Sequence, residues 1–498
     1  MTLSLSAKQR YQRQQDGSEG LFRTPSRRDR DRVRFSREFR RLKAVTQVAH
    51  AGESYLYHDR LSHSLKVAQV ASSLVKIFHE RNNVSPEVTA GINFPDKNDK
   101  LGRFLDPYVV EAAAHAHDIG HPPFGHAGES ELNRLVKEYS TTKENIAEIG
   151  FEGNAQSFRV VTRLAAHRDA NSGLNVTRAT LNGMLKYPWN RNDDARENND
   201  EKWGYYPTDS DAFEWARDGL DDYRTSGPFN EKRQTLEAQI MDYADDLTYA
   251  VHDLEDFYRS GIIPLHEIFR EALDEVSNKR SSDELNKYSV SSRDHLDDFE
   301  DYLEEESDID PNEVEIAVIF ANFAMEFDGS SKALVTPFEG TDAERRELNE
   351  FTSQLISKFL EADRKENPQA VYLESISENK GGFNLNTEKY RTHIELLKAL
   401  TEFYVISNPT LMQQQYGQRR VLSELFEALY GESNPEKVTK SIIPMPYRDR
   451  LKNIDELGTS RTRLVADLIS SLTEKQTLRL HKRLCGDSPG SLQDSIIG

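Results

Sequence analysis

The chain has 498 residues, of which 37% are hydrophobic and 30% charged, a balance typical of a globular protein with a well-solvated surface. Its formal net charge of −20 argues against nucleic-acid binding over the whole surface. One cysteine, Cys485, cannot form an internal disulfide and cannot by itself build a thiolate zinc site. The first twenty residues lack the apolar stretch of a signal peptide, and no apolar run is long enough to span a membrane. We therefore expect a cytoplasmic protein without a membrane segment.

The start of the chain is polar and basic. Residues 1–22 are expected to form a flexible tail. The arginine-rich stretch RTPSRRDRDRVRFSREFRRLK (23–43) is compatible with a solvated helix face or with an anion site for phosphates, and composition alone favours the solvated face.

Helical patterns dominate the rest of the first half. In LSHSLKVAQVASSLVKIF (61–78), apolar residues recur at spacings of three and four, which predicts an amphipathic helix. The segment PYVVEAAAHAHDI (107–119) begins with a proline suited to a first helical turn, and the GHPPFGH loop after it forbids continuation. A long helix is predicted over 231–260, where Gly261 and Pro264 follow.

These patterns predict an all-α protein with four regions. The tail over 1–22 precedes a helical core over 23–273, which carries a polar insertion at about 190–235. The acidic stretch 274–313 is expected to be exposed helix and loop or partly disordered. Helical periodicity then returns over 314–498 and predicts an additional C-terminal helical region.

A cluster of potential metal ligands centres on AHAHDIGHPPFGHAGE (114–129), which holds four of the 14 histidines. Adjacent His117 and Asp118 suit a divalent ion that prefers oxygen and also accepts nitrogen, such as Mn²⁺, Mg²⁺ or Fe²⁺. Two ligands do not hold a catalytic ion, so further ligands are expected, and His63 and Asp245 are the candidates. Each residue alone has an ordinary interpretation as a packed or solvated side chain, but together they favour a metal site.

Two other observations accompany this cluster. Arg60 lies three residues before His63, and Asp245, Tyr249 and Asp253 are spaced by four, which places them on one helical face. His115 is interpreted as a core-packing histidine.

The longer strings resemble a known family, the HD-domain deoxynucleoside-triphosphate triphosphohydrolases, and above all their bacterial deoxyguanosine-type members. The resemblance covers about residues 29–260 and is carried by DRDRVRFSREFRRLKAVTQV (29–48), DRLSHSLKVAQV (59–70), AHDIGHPPFGHAGE (116–129), FEGNAQSFRVV (151–161) and ADDLTYAVHDLED (244–256). The C-terminal half resembles the family only in its helical character and in QRRVLSEL, and the acidic insertions depart from the family pattern.

The resemblance implies an all-helical HD-domain metallophosphohydrolase that converts a dNTP and water into a deoxynucleoside and tripolyphosphate. It implies one Mg²⁺ or Mn²⁺ ion per site, held by His63, His117, Asp118 and Asp245. It also implies a catalytic pair, His126 and Glu129, and substrate-binding residues Gln47, Arg60, His121, Asn154, Lys186, Tyr187, Tyr249, Asp253 and Arg420.

The implied reaction explains why such groups are needed. The substrate carries several negative charges, which Arg60 and Lys186 would offset. The leaving 5′-oxygen is a poor leaving group, and His126, oriented by Glu129, is our candidate general acid because imidazole titrates near neutral pH. Tyr249 would form a wall that leaves no room for a 2′-hydroxyl.

Partners and alternatives follow from the same resemblance. It implies a dNTP substrate and a homo-oligomer, a hexamer, with single-stranded DNA or a regulatory nucleotide as further partners. The alternatives are another HD phosphohydrolase, acting on a cyclic nucleotide or an alarmone, and a nucleotide-sensing or single-stranded-DNA-binding protein. Base preference is not readable from the residues, and dGTP is the expectation that the resemblance supplies.

Overall fold

The fold is described from a computed structural model. The described residues are 7–15, 23–48, 57–85, 101, 105–146, 149–166, 173–191, 202–218, 234–280, 295–307, 309–311, 314–326, 336–360, 371–375, 383–436 and 441–488. No helix within them is long and apolar enough to cross a membrane.

Helices make up nearly all of the described secondary structure, as the sequence predicts. In the first half they are α1 (Ala7–Arg10), α2 (Pro25–Arg34), α3 (Arg37–Arg41), α4 (Arg60–Arg81), α5 (Pro107–Ala116), α6 (Gly125–Tyr139), α7 (Gly153–Arg159), α8 (Arg178–Gly183), α9 (Ser210–Arg217) and α10 (Leu236–Arg259). In the second half they are α11 (Leu265–Arg280), α12 (His295–Glu306), α13 (Ile316–Glu326), α14 (Asp342–Leu360), α15 (Glu388–Thr401), α16 (Pro409–Gly431), α17 (Met445–Lys452), α18 (Arg461–Ser470) and α19 (Glu474–Leu484).

A short antiparallel hairpin is the exception in the described residues. Its strands β1 (Tyr372–Ser375) and β2 (Phe383–Asn386) pair with each other. The backbone N–H of Leu385 donates to Gln239 Oε1 at 2.8 Å, which joins the hairpin to α10.

Helices α4, α5 and α10 pack against one another and form the scaffold of the site. Their starts follow from local chemistry. Asp59 caps α4 through the backbone N–H of Ser62, Asp106 caps α5 before Pro107, and Thr235 caps α10. The predicted helices over 61–78, 107–119 and 231–260 are therefore present, with slightly different ends.

One hydrophobic core runs from Val33 to Val405. The acidic stretch 274–313 does not interrupt it, because α12 buries Leu296, Phe299 and Leu303 in that core while its acidic side chains face outward. The boundary expected at 274–313 therefore does not correspond to a break in the apolar packing. Residues 281–294 of that stretch lie outside the described residues.

A second core lies between α6 and the C-terminal helices α16, α17 and α18. Its fully buried members include Leu132, Leu422, Phe426 and Leu468. The C-terminal region thus packs directly on the helix that follows the GHPPFGH loop, and does not form a separate unit.

Two expected surface segments are buried in part. Within the predicted tail, Arg10 is ion-paired with buried Glu237, so residues 7–15 are anchored and not free, while 16–22 lie outside the described residues. Within the predicted polar insertion, Trp203 and Tyr206 are buried against Trp189. Aromatic burial therefore fixes residues 202–206.

Candidate active site

The loop between α5 and α6 bends sharply and brings both of its ends to one place. Phe124 and Gly125 have φ values of 69° and 56°, in the left-handed region. A Cβ at Gly128 would lie 2.0 Å from the carbonyl oxygen of Pro123, so this return of the chain requires glycine there. His117 and Asp118 precede the bend, and His126 and Glu129 follow it.

Before the bend, His117 Nε2 is buried and makes no hydrogen bond. It lies 3.4 Å from Asp245 Oδ1 and 3.5 Å from Asp118 Oδ1, and His63 Nε2 is 2.8 Å from the same Asp245 oxygen. Burial lowers the pKa of His117, but the two carboxylates outweigh burial and raise it to about 9. His63, His117 and Asp245 together have the spacing of metal ligands.

Asp118 is held by a buried arginine. Arg60 Nη1 donates to Asp118 Oδ2 at 2.8 Å, and Arg60 Nε donates to the carbonyl oxygen of Thr46 at 3.0 Å. Burial raises the pKa of Asp118, but His117 and Arg60 keep it well below its ordinary value. Arg60 Nη2 is buried without a hydrogen-bond partner, so this arginine retains a donor for a further oxygen.

Lys186 approaches the cluster from the other side. Its Nζ lies 2.8 Å from Asp245 Oδ2 and 2.7 Å from Asp242 Oδ1. Burial lowers the pKa of Lys186, but the two aspartates raise it well above its ordinary value, so the ammonium stays charged. One cation therefore faces each of the two carboxylates, Asp118 and Asp245.

After the bend, His126 and Glu129 form a pair. His126 Nδ1 lies 3.2 Å from Glu129 Oε2, and the His126 side chain is 56% exposed while Glu129 is buried. Burial raises the pKa of Glu129, but the hydrogen bond with His126 and the charge of Lys202 hold it well below its ordinary value. A charged Glu129 fixes the imidazole through Nδ1 and leaves Nε2 to exchange a proton.

His121 lies between the two groups. Its Nδ1 is 3.0 Å from Asp118 Oδ1, and its ring meets that of His126 edge-on at 6.1 Å between centroids. A Cβ on Gly153 would approach the His121 ring to 2.7 Å, so the ring packs directly on the start of α7.

Two other predicted residues carry buried polar atoms without partners. Gln47 Oε1 and Asp253 Oδ2 both lack a hydrogen bond. Burial and the charge of Asp256 raise the pKa of Asp253 well above its ordinary value. Tyr249 lies one turn before Asp253 on α10, and the Asp253 carboxylate contributes to the raised pKa of its phenol, after burial.

Three predicted residues lie apart from the cluster of His63, His117 and Asp245. Asn154 donates to Glu152 Oε1 at 2.6 Å, near Glu129. Tyr187 packs edge-on against Trp189, with ring centroids 5.5 Å apart. Arg420 lies on α16 with its side chain 74% exposed and ion-paired with Glu424, and the structure does not bring it to the cluster.

His115 is confirmed as a packing residue. It is buried, its ring lies 5.0 Å from that of Phe39, and burial lowers its pKa to about 3.

Part of the basic stretch 23–43 is used inside the molecule, while five of its ten basic residues are exposed, as on a solvated face. Arg32 Nη1 donates to the carbonyl oxygen of Leu174 at 3.2 Å, and Arg30 pairs with Asp31 and Glu111. Arg41 Nη2 donates to the carbonyl oxygens of Ile119 and His121, at 2.9 and 2.7 Å. Arg41 therefore supports the bent loop from behind, a role that its place in a charge run does not reveal.

Further site residues escaped the sequence analysis. Lys202 Nζ lies 3.5 Å from Glu129 Oε1 and 3.7 Å from Glu152 Oε1. Asp242 shares Lys186 with Asp245. The position of Asp242 one turn before Asp245 was a usable signal, whereas Lys202 sits at the end of a polar run without a pattern.

Comparison with known proteins agrees with this geometry. The HD domain family model matches residues 60–250, and the model described as a phosphohydrolase-associated domain matches 386–483. A deoxyguanosinetriphosphate triphosphohydrolase-like protein of Streptomyces coelicolor is 31% identical, over 93% of both chains. The chain belongs to this family of HD-domain phosphohydrolases. Like-named proteins of Haemophilus influenzae and Shewanella sediminis are 29% and 28% identical, covering 93% and 94% of each chain.

The family match spans both hydrophobic cores of the fold. The family resemblance and the all-α fold class predicted from the sequence are therefore confirmed. In the C-terminal half, the sequence alone shows only a loose resemblance to the family. The phosphohydrolase-associated domain matches residues 386–483 of that half.

The polar network around Glu129 predicts a pH-dependent stability. Burial and the Glu129 carboxylate raise the pKa of Glu152 from its ordinary 4.5 to about 7. Because the folded-state pKa is raised, the stability contributed by the protonated carboxyl is fully present below about pH 4.5 and is lost as pH rises through 7. Glu152→Gln, which cannot ionise, should gain stability relative to the wild type on the order of 2 kcal/mol between about pH 5 and pH 8.

Denaturant unfolding of both proteins at the two pH values measures this difference. Glu80→Gln, on the exposed face of α4, is the control and should show no such change between the two pH values. A Glu152→Gln variant whose relative stability stays constant, or falls, as pH rises would show that the carboxyl is already ionised in the fold.

Proposed function

We propose that the protein hydrolyses deoxynucleoside triphosphates, with dGTP preferred, to a deoxynucleoside and tripolyphosphate. Water adds to the α-phosphorus, the bond from that phosphorus to the 5′-oxygen breaks, and the 5′-oxygen takes a proton. The relatives' names supply the nucleotide and the reaction class. The chemistry of the site supplies the assignment of residues.

The observation that carries the proposal is the buried Nε2 of His117, which makes no hydrogen bond and lies within 3.5 Å of the carboxylates of both Asp118 and Asp245. Once His117 Nε2 gives up its proton, this nitrogen and two carboxylate oxygens, with the His63 imidazole beside them, fit a Mg²⁺ or Mn²⁺ ion. His63, His117, Asp118 and Asp245 would hold it. When bound, such an ion supplies Lewis acidity and lowers the pKa of a coordinated water.

Cationic side chains around the ligands suit a polyphosphate. Arg60 has a buried donor, Nη2, that makes no hydrogen bond, and the ion pair with Asp118 holds the guanidinium in place. Lys186 is buried and charged beside Asp245. Both can stabilise the negative charge of the triphosphate oxygens as water adds to the α-phosphorus, and His121 would donate near the α-phosphate.

The pair beyond the bend suits proton transfer to the leaving oxygen. Glu129 holds His126 through Nδ1, and the exposed Nε2 side of the ring can deliver a proton to the 5′-oxygen. Without that proton the deoxynucleoside would have to leave as an alkoxide. Asn154 and Tyr187 would complete this side of the nucleotide pocket.

The unpartnered groups of Gln47 and Asp253 suit the nucleoside. Gln47 Oε1 and Asp253 Oδ2 are buried polar atoms that a base or sugar could satisfy, which would recover the free energy of their desolvation. Tyr249, one turn before Asp253, would form the wall that excludes a 2′-hydroxyl. This arrangement supports a deoxyribonucleotide over a ribonucleotide.

We also propose that the chain acts in the cytoplasm as a homo-oligomer, a hexamer. Arg420 lies on the exposed first half of α16, near exposed Met412 and Tyr416. The position of Arg420 supports a contact with a neighbouring subunit, or with the phosphate site of that subunit. It supports a contact with the active site of its own chain less. Single-stranded DNA and a regulatory nucleotide remain proposed as further partners.

Product analysis tests the reaction. The purified protein is incubated with each dNTP and with GTP, in Mg²⁺ or Mn²⁺, and the products are separated by ion exchange. We expect deoxynucleoside and tripolyphosphate, fastest from dGTP, and no turnover of GTP.

Two outcomes would contradict this proposal. Monophosphate with pyrophosphate would place the broken bond elsewhere. No turnover of single or mixed dNTPs would favour a nucleotide-sensing protein. Asp118→Ala is the matched control and should abolish turnover, because it removes a proposed metal ligand and leaves Arg60 buried without its carboxylate.

Glu129→Gln tests the catalytic pair. The amide cannot stabilise a protonated His126, so kcat should fall by about 10²–10⁴-fold while Mn²⁺ affinity stays at the wild-type value. Ser130→Ala changes the exposed neighbouring residue and should leave kcat unchanged. A Glu129→Gln enzyme with wild-type kcat would remove His126 and Glu129 from the proton transfer, while leaving the metal site unaffected.

A further inference from the structure

A second group of potential metal ligands lies on the C-terminal helices, on different elements from the catalytic ligands. His481 lies on the last turn of α19, Cys485 caps the end of that helix four residues later, and Glu424 lies on α16, against which α19 packs. Their ligand atoms all lie within 4.8 Å of one another. We propose that Glu424, His481 and Cys485 form a second cation site, which takes a thiophilic divalent ion such as Zn²⁺.

The distances are close to those of a tetrahedral site. Cys485 Sγ lies 3.5 Å from His481 Nε2 and 3.8 Å from Glu424 Oε2, and His481 Nε2 lies 2.7 Å from that same oxygen. With metal–ligand bonds of about 2.0–2.3 Å, ligand atoms around tetrahedral zinc lie roughly 3.3–3.7 Å apart. Only the hydrogen-bonded nitrogen and oxygen need to separate, by about half an ångström on this geometry.

The ligand types select a different ion from that of the catalytic site. Thiolate and imidazole ligands favour Zn²⁺, whereas Mg²⁺ and Mn²⁺ favour carboxylates and water. Three protein ligands leave the fourth position to water or to another group. The cluster therefore should discriminate between the two kinds of ion although both sites are in one chain.

The local charges prepare the carboxylate for a cation. Glu424 Oε1 accepts from Arg420 Nε at 2.9 Å, so Oε2 is the oxygen directed to His481 and Cys485. Hydrogen bonds from Arg420 and His481 lower the pKa of Glu424 to about 2, so it is a carboxylate at neutral pH. The thiol of Cys485 is exposed and can be reached by a solvated ion.

Occupation of the site would join α19 to α16. Helix α19 contributes only partly buried side chains to the second core, among them Leu478 and Leu484. A metal bridge between the helices would hold the last turns of α19 in place. Glu424 would then bind the ion through Oε2 and Arg420 through Oε1.

Cobalt absorption tests this proposal on the full-length protein. Co²⁺ replaces Zn²⁺ in such sites, and a thiolate ligand gives a near-ultraviolet charge-transfer band. Because Cys485 is the only cysteine of the chain, that band reports this site whatever occupies the catalytic site. We expect a saturable band that one equivalent of Zn²⁺ abolishes and that excess Mg²⁺ does not.

Ligand variants decide whether the band arises from this cluster. His481→Ala and Glu424→Gln should each weaken Co²⁺ binding more than about tenfold, since even outer partners of metal ligands are typically worth 10–100-fold. Glu427→Gln, one turn further along α16 and exposed, should bind as the wild type does.

Two outcomes would overturn the proposal. Absence of a charge-transfer band in the wild type would show that Cys485 does not bind the ion. A band of unchanged affinity in His481→Ala would show a thiol binding alone. Neither result would bear on the proposed metal ligands and the His126–Glu129 pair, which lie on other elements.

Discussion

The buried imidazole of His117 lies between the carboxylates of Asp118 and Asp245, and much of the surrounding structure compensates for that arrangement. Two carboxylates out of water are costly unless cations face them. Arg60 and Lys186 supply one cation each, from α4 and from the segment after α8. His117 Nε2, between the two carboxylates, still makes no hydrogen bond, and a metal ion bound there would satisfy it.

The same constraint explains the role of the C-terminal region. The bent loop must hold His117 and Asp118 close to His126 and Glu129, and its support comes from distant parts of the chain. Glu474, at the start of α19, accepts from the backbone N–H groups of Thr46 and Phe124, at 2.7 and 3.2 Å. Arg41 binds the carbonyl oxygens of Ile119 and His121. The phosphohydrolase-associated region therefore helps to build the candidate active site.

Local patterns were sufficient to predict the helices and the ligand cluster, because capping residues, prolines and spacings of three and four act over short distances. Residues that act through the folded chain could not be predicted in that way. Lys202, beside buried Trp203, meets Glu129 across more than 70 residues, and Arg10 meets Glu237 across more than 200. The sequence did not predict the Cys485 cluster for the same reason, because its carboxylate, Glu424, lies on another helix. The acidic stretch was interpreted from its charge, although every third or fourth residue of α12 is apolar and buried.

The central claim is that His117 completes a metal site, and calorimetric titration with Mn²⁺ tests it most directly. The wild type should bind one ion, and His117→Ala should lose that binding while its circular dichroism shows an intact helical fold. His115→Gln, two residues away in the core, is the matched control and should bind Mn²⁺ as the wild type does. If His117→Ala bound Mn²⁺ with wild-type affinity, the ligand assignment and the mechanism built on it would be wrong.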